Sequence, residues 1–187
     1  MSMPEIAKRW TRDAVLALPD DGNRYELLDG ELLVSPSPTG IHQRAVLLLY
    51  DSIGPYVKRY RLGWTGLSPA DLDFRSGQLL QPDLFVAGLV DGREPLRWED
   101  FEIPLLVAEV LSPSTALYDR NRKRPKFQAA GVGEYWIVDT DGRVVERWKP
   151  ADERPEILTE TLAWQPRPDL PALEIGLAEL FKEVWGE

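Results

Sequence analysis

Two short apolar runs constrain this fold more than any other feature of the chain. Residues 84–87 and 103–108 are apolar without the alternation of a half-exposed strand, and both are too short for a buried helix. Strands of this kind are covered on both faces, so the chain needs a sheet held between two layers. Each run also carries an acid. Asp83 stands in Gln81-Pro82-Asp83-Leu84-Phe85-Val86, and Glu109 in Pro104-Leu105-Leu106-Val107-Ala108-Glu109-Val110-Leu111. A carboxylate in a buried strand is costly unless it is paired, metal-bound or protonated.

The surrounding pattern supplies the layers. Thr11 caps a short helix over 13–18 that Pro19 stops. Arg24-Tyr25-Glu26-Leu27-Leu28 and Glu31-Leu32-Leu33-Val34 flank Asp29-Gly30, a pair suited to the positive backbone angles of a tight hairpin. The segment 41–60 is predicted as a helix, with His42, Val46, Leu49 and Ile53 on one stripe. Asp71 to Phe74 alternates as a half-buried strand should. A helix is expected after Ser112-Pro113-Ser114-Thr115, with Pro125 in or near its first turn and Gly131 as its stop. Glu134 to Asp139 and Arg143 to Trp148 form strands around Asp141-Gly142. Residues 150–171 read as loop with one short strand near 157–159, and 175–184 as a closing helix. No internal repeat or linker divides the 187 residues, which suit a single domain.

Composition narrows the function. There is no cysteine, which excludes disulfides, thiolate zinc sites and a cysteine nucleophile, and the single histidine excludes a multi-histidine metal site within one chain. No apolar run approaches the roughly 20 residues that span a bilayer. The stretch to Trp10 lacks an apolar signal core, and a cytoplasmic location is expected. A net charge of -9 argues against coating nucleic acid through a global field. One local basic segment stands out, Arg120, Arg122, Lys123, Arg124 and Lys126, which reads either as a nucleic-acid contact or as a solvated face.

Asp83 and Glu109 on neighbouring strands, with Lys123 from a helix packed across them, would suit phosphodiester hydrolysis. The carboxylates supply hard oxygen ligands for magnesium, and the ammonium supplies a compact charge beside the attacked phosphate. Spacing alone leaves structural readings open. Asp83 can cap a strand, Lys123 can be a solvated partner of Asp119, and Glu26 can pair with a surface arginine. For His42 a packed ring making one hydrogen bond is the favoured reading. Asp71 and Asp73 share a strand face and read as solvated, and Glu134 and Asp139 as strand-end structural acids.

Taken in order, Arg24-Tyr25-Glu26-Leu27-Leu28-Asp29-Gly30-Glu31, Gln81-Pro82-Asp83, Glu109-Val110-Leu111-Ser112-Pro113-Ser114-Thr115, Asp119-Arg120 with Lys123, Ala130-Gly131-Val132 and Glu134-Tyr135-Trp136-Ile137-Val138-Asp139 resemble one family. It is the Uma-type endonuclease family, within the PD-(D/E)XK restriction-endonuclease-like superfamily. The resemblance runs from about Trp10 to Phe181. It implies an α/β/α sandwich with a central mixed sheet, a magnesium-dependent nuclease site in which manganese can substitute, DNA as the substrate, and a homodimer. Carried over by position, it makes Asp83, Glu109 and Lys123 catalytic. It makes Asp83, Glu109 and Glu26 the metal ligands, and Glu26 and His42 additional site residues. Arg120, Arg122, Arg124 and Lys126 are then the nucleic-acid contacts. The superfamily's usual lysine two residues after the strand acid is absent, because position 111 is Leu, and Lys123 is its replacement. That departure supports an alternative, a nuclease fold kept as a binding or assembly module.

Overall fold

The computed structural model describes residues 9–72, 78–97, 100–113 and 115–187. The chain opens with α1 (Arg12–Leu16), whose Thr11 Oγ1 accepts a hydrogen bond from Ala14 N at 3.3 Å. A hairpin follows, β1 (Arg24–Leu28) and β2 (Glu31–Ser35). Asp29 and Gly30 both take positive φ, 54° and 83°, the backbone required of a two-residue turn between Leu28 and Glu31. The long helix α2 (Gly40–Arg59) is capped by Thr39, and its stripe His42, Val46, Leu49 and Ile53 is buried.

Six strands build the central sheet: β3 (Gly63–Leu67), β4 (Leu84–Gly88), β5 (Leu106–Val110), β6 (Glu134–Asp139), β7 (Val144–Trp148) and β8 (Glu156–Leu158). They lie in chain order across the sheet. Every neighbouring pair is antiparallel except β5 and β6, which makes the sheet mixed. The β5–β6 connection holds α3 (Ala116–Tyr118), a π-helical turn (Asp119–Lys123) and α4 (Arg124–Ala130). Gly131 ends α4 at φ 85°, as a left-handed stop should.

The strand period sorts side chains into two cores. Leu84, Val86, Leu106, Ala108, Trp136 and Val138 pack with α2 and α5 (Leu177–Trp185) on one face. Phe85, Ala87, Val107, Tyr135 and Ile137 face the other way and pack with Phe127 of α4. This is the expected α/β/α sandwich. Glu109 shares the parity of Val107, so its carboxylate belongs to the face covered by the π turn and α4.

Several local expectations change. The helix after the Ser112 loop begins at Ala116, well before Pro125. A π turn precedes the proline, with the Arg124 N–H reaching back to the Asp119 carbonyl, and Pro125 then sits in the first turn of α4 where its missing N–H matters least. β5 starts at Leu106 rather than at the beginning of its apolar run. The left-handed residue in the β6–β7 loop is Arg143, at φ 53°, beside the Asp141-Gly142 pair. A two-stranded ribbon, β9 (Thr161–Trp164) and β10 (Leu173–Gly176), adds Leu162, Trp164 and Ile175 to the α2 and α5 core, and α5 begins only at Leu177. Leu72 makes a single bridge to Leu80, whereas Asp73 and Phe74 lie outside the described residues. Among the described residues, no helix is long and apolar enough to cross a membrane.

One glycine tests the β3–β4 approach. Gly63 has φ 141°, and a Cβ there would stand 1.8 Å from the Ala87 carbonyl oxygen. Gly63→Ala should therefore lower stability by about 2 kcal/mol or more, read from the urea midpoint. Gly40→Ala, at the start of α2 with nothing within 4 Å of the new methyl, should leave stability unchanged or raise it by about 0.4–1 kcal/mol.

Candidate active site

Five segments deliver ionisable side chains to one buried cluster. Arg24 and Glu26 project from the same face of β1, two residues apart. His42 comes from the first turn of α2, Asp83 immediately precedes β4, Glu109 lies in β5, and Asp119 and Lys123 bound the π turn. All but the partly buried Arg24 are buried.

Lys123 organises one half of the cluster. Its Nζ lies 2.9 Å from Glu26 Oε1, 3.0 Å from Glu109 Oε1 and 3.4 Å from Asp119 Oδ1. Asp83 organises the other. Its Oδ1 accepts from Arg24 Nη1 at 2.7 Å, and its Oδ2 accepts from Val110 N at 2.9 Å and lies 3.0 Å from His42 Nε2. The halves are joined where Asp83 N donates to Glu109 Oε2 at 3.3 Å and Gln81 N donates to Glu26 Oε1 at 2.8 Å.

The electrostatics are uneven. Glu26, Asp83, Glu109 and Asp119 face only two permanent cations, Arg24 and Lys123. Burial pushes the Asp83 carboxyl up, but the His42 hydrogen bond and the His42 and Arg24 charges outweigh it and hold Asp83 well below the usual range. At Glu109 burial wins despite Lys123, with Asp83 and Asp119 adding repulsion, so this acid keeps its proton well above the usual range. Asp119 is raised by the same burial. For Lys123 burial favours loss of the proton, yet Glu109, Glu26 and Asp119 more than compensate and the ammonium is held. Burial, then Glu26, pushes Tyr118 up to about 12.

The donor chemistry suits a hard cation. Acids outnumber cations, and Glu26 Oε2 and Asp119 Oδ1 are buried without a hydrogen-bond partner. Among the described residues, however, no three His, Asp or Glu side chains converge as a ligand set. Of the three expected acid ligands, Glu26 Oε1 is taken up by Lys123 and by Gln81 N. Asp83 and Glu109 fit as a carboxylate pair of the kind magnesium uses while keeping several waters.

A cleft of about 590 Å³ reaches this cluster from outside. Arg24, His42, Gln81 and Asp83 line it, while Glu26, Glu109 and Lys123 lie behind them. Leu111 is half-buried among the second core's residues, so the position usual for the superfamily lysine is filled by packing. The lysine of the buried cluster comes instead from the π turn.

The basic segment is more committed than its sequence suggests. Arg120 pairs with Glu146 at 2.6 Å and Asp139 at 3.2 Å. Arg122 pairs with Glu31 at 2.9 Å, and Lys126 with Asp29 at 2.7 Å. Arg124 bonds Gln128 and lies over the Trp148 ring at 4.3 Å. Two site members, Arg24 and Asp119, fall outside the candidate set read from the sequence. Arg24 had a signal, since strand period places it on the face of Glu26. Glu134 accepts from Trp136 Nε1 and Asp139 from Gly142 N, both structural roles, and Asp71 accepts from Gln81 Nε2.

No curated protein matches the chain. Among solved structures, "a putative nuclease belonging to DUF820" from Anabaena variabilis is 22% identical and superposes with a TM-score of 0.73, covering 93% of this chain and 98% of that one. That likeness shows a shared fold. The model of the Uma2 family, described as "Putative restriction endonuclease", matches residues 12–178, a span containing Arg24, Glu26, His42, Asp83, Glu109 and Lys123. The chain therefore belongs to the Uma2 family.

Proposed function

We propose that this protein is a divalent-metal-dependent nuclease that hydrolyses phosphodiester bonds in DNA, with magnesium as its cation and manganese as a substitute. The observation that carries this reading is the Lys123 ammonium, delivered by the π turn to 3.0 Å from Glu109 Oε1. It supplies from a helix the charge that Leu111 does not.

Asp83 and Glu109 would hold the cation, which when bound supplies charge to a phosphate oxygen and acidifies a water. Lys123 anchors Glu109 and balances the buried acids. Arg24 orients Asp83 through Oδ1 and, at the cleft, presents a guanidinium to an incoming phosphate. His42 fixes the second Asp83 oxygen. A second reading, a binding module with a degenerate site, is favoured by one observation: Lys123 is enclosed by three carboxylates and does not line the cleft.

Mutants separate the two. Asp83→Asn and Glu109→Gln should each reduce magnesium-dependent cleavage of DNA by at least about a hundredfold, the upper end of what losing an outer-shell metal partner costs. Both should stay folded by circular dichroism. Undiminished cleavage in both variants would sink the nuclease assignment. Lys123→Met behaves differently, leaving Glu26, Glu109 and Asp119 uncompensated, and should lose about 3–5 kcal/mol of stability.

Metal binding should also depend on pH. Glu109 retains its proton above the ordinary carboxylate range, and a cation bound there must expel it. Magnesium affinity should therefore rise as pH rises from about the ordinary glutamate pKa of 4.3 toward neutrality and beyond. Calorimetry in buffers of different ionisation enthalpy should register proton release, absent in Glu109→Gln. A pH-independent affinity would remove Glu109 from the ligand set.

A further inference from the structure

The shape and charge of the cleft say more about the substrate than the acids behind it. We propose, building on the nuclease reading, that the cleft admits one unpaired nucleotide, so that the polymer is engaged through a single-stranded segment and not as continuous duplex.

Size is the first argument. A cavity of about 590 Å³ lies within the roughly 300–1,000 Å³ of clefts that enclose small molecules, and a nucleotide is a ligand of that class. Duplex binding uses a surface along which many phosphates meet cations. Charge is the second argument. Among the described residues, Arg24 is the one arginine or lysine that lines the cleft, and it stands with the acids Asp20, Asp71 and Asp83. The basic residues of the neighbouring helical segment are each bonded within the chain. A run of duplex phosphates would meet acids here, whereas one phosphate can be met by Arg24.

The walls and floor are the third argument. Pro19, Pro36, Pro38 and Pro69 present apolar ring surfaces to the cleft, with Val46 and Leu67 between them. Such surfaces suit the face of an unstacked base. At the floor, the buried His42 uses Nε2 on Asp83 and leaves Nδ1 without a partner. Among the described residues, the hydrogen bonds of Arg24 run from Nη1, to Asp83, Ser68 and the Gln81 carbonyl. A buried, unpartnered polar atom on a residue that lines the cleft is an exception that a bound ligand would explain. A nucleotide offers both parts, an apolar face for the walls and polar atoms for the floor.

The test is binding, so it does not require turnover. The Glu109→Gln protein in magnesium is titrated with a labelled single-stranded oligodeoxynucleotide lacking self-complementarity and with the same strand annealed to its complement as a blunt-ended duplex. The single strand should bind at least tenfold more tightly. Its salt dependence should be shallow, a log–log slope of about −0.7 to −1.4, as one or two neutralised phosphates of a single strand require. Gln43→Trp, an exposed α2 position on the cleft, should weaken single-strand binding at least tenfold while leaving the melting temperature unchanged. Equal or tighter duplex binding, a much steeper salt slope, no effect of Gln43→Trp, or no binding of either probe would overturn the proposal. Loss of cleavage on every substrate would instead overturn the nuclease reading, and this comparison would still be decided by its own data.

Discussion

Lys123 is enclosed by the Glu26, Glu109 and Asp119 carboxylates with almost none of its side chain exposed, and these contacts connect the hairpin, the central sheet and the π turn. Removing two opposite charges from water is favourable only when the geometry is good and the remaining polar atoms are satisfied. Here one ammonium serves three acids, reaching Asp119 Oδ1 only at 3.4 Å without a hydrogen bond, and Glu26 Oε2 has no hydrogen-bond partner. A cluster of this kind contributes little to stability relative to an apolar core of the same volume. Its persistence in the centre of an otherwise apolar fold is therefore best explained by chemistry.

The surrounding scaffold is built to hold that arrangement. Phe85, Val107, Tyr135 and Ile137 pack on Phe127, fixing the distance between β5 and α4, and so the reach of Lys123 to Glu109. Two outer ion pairs, Arg122 to Glu31 and Lys126 to Asp29, tie the hairpin turn to the same helical segment. As partly exposed pairs each is worth about 0.2–1 kcal/mol. Their service is positional, since the hairpin they dock is the element that carries Arg24 and Glu26 inward.

What could be read in advance follows the range of the interaction that decides it. The hairpin turn was legible because Asp29-Gly30 specifies its own backbone, and the α2 stripe because four apolar-face positions recur at helical spacing. Glu109 stood out because apolar residues flank it on both sides. Spacing offered Lys123 only as one open reading beside a solvated pair with Asp119, and the resemblance favoured it, since no local pattern says that a lysine on a helix will turn inward. The pairings of Arg122 and Lys126 join residues 91 and 97 positions apart, beyond any window of sequence periodicity. The same holds for the β9–β10 ribbon, whose strands are separated by the proline-rich stretch that argued for loop.

The two halves of the site answer to different demands. Asp83 is ionised by its neighbours and opens onto the cleft, whereas Glu109, one bond behind it, is held toward its protonated form by burial. A cation arriving through the cleft would meet a ready carboxylate first and would have to displace a proton from the second. Such an order makes occupancy of the site depend on the charge that enters, and it gives the excess of acids a purpose. Without a cation they repel one another inside the fold, and on the proposed reading Asp83 and Glu109 would become its ligands. On the proposed nuclease reading, the same asymmetry would let a protein of acidic net charge act on a polyanion: the positive charge needed at the phosphate need not be spread over the surface if it is gathered at Arg24 and at a metal held by Asp83 and Glu109.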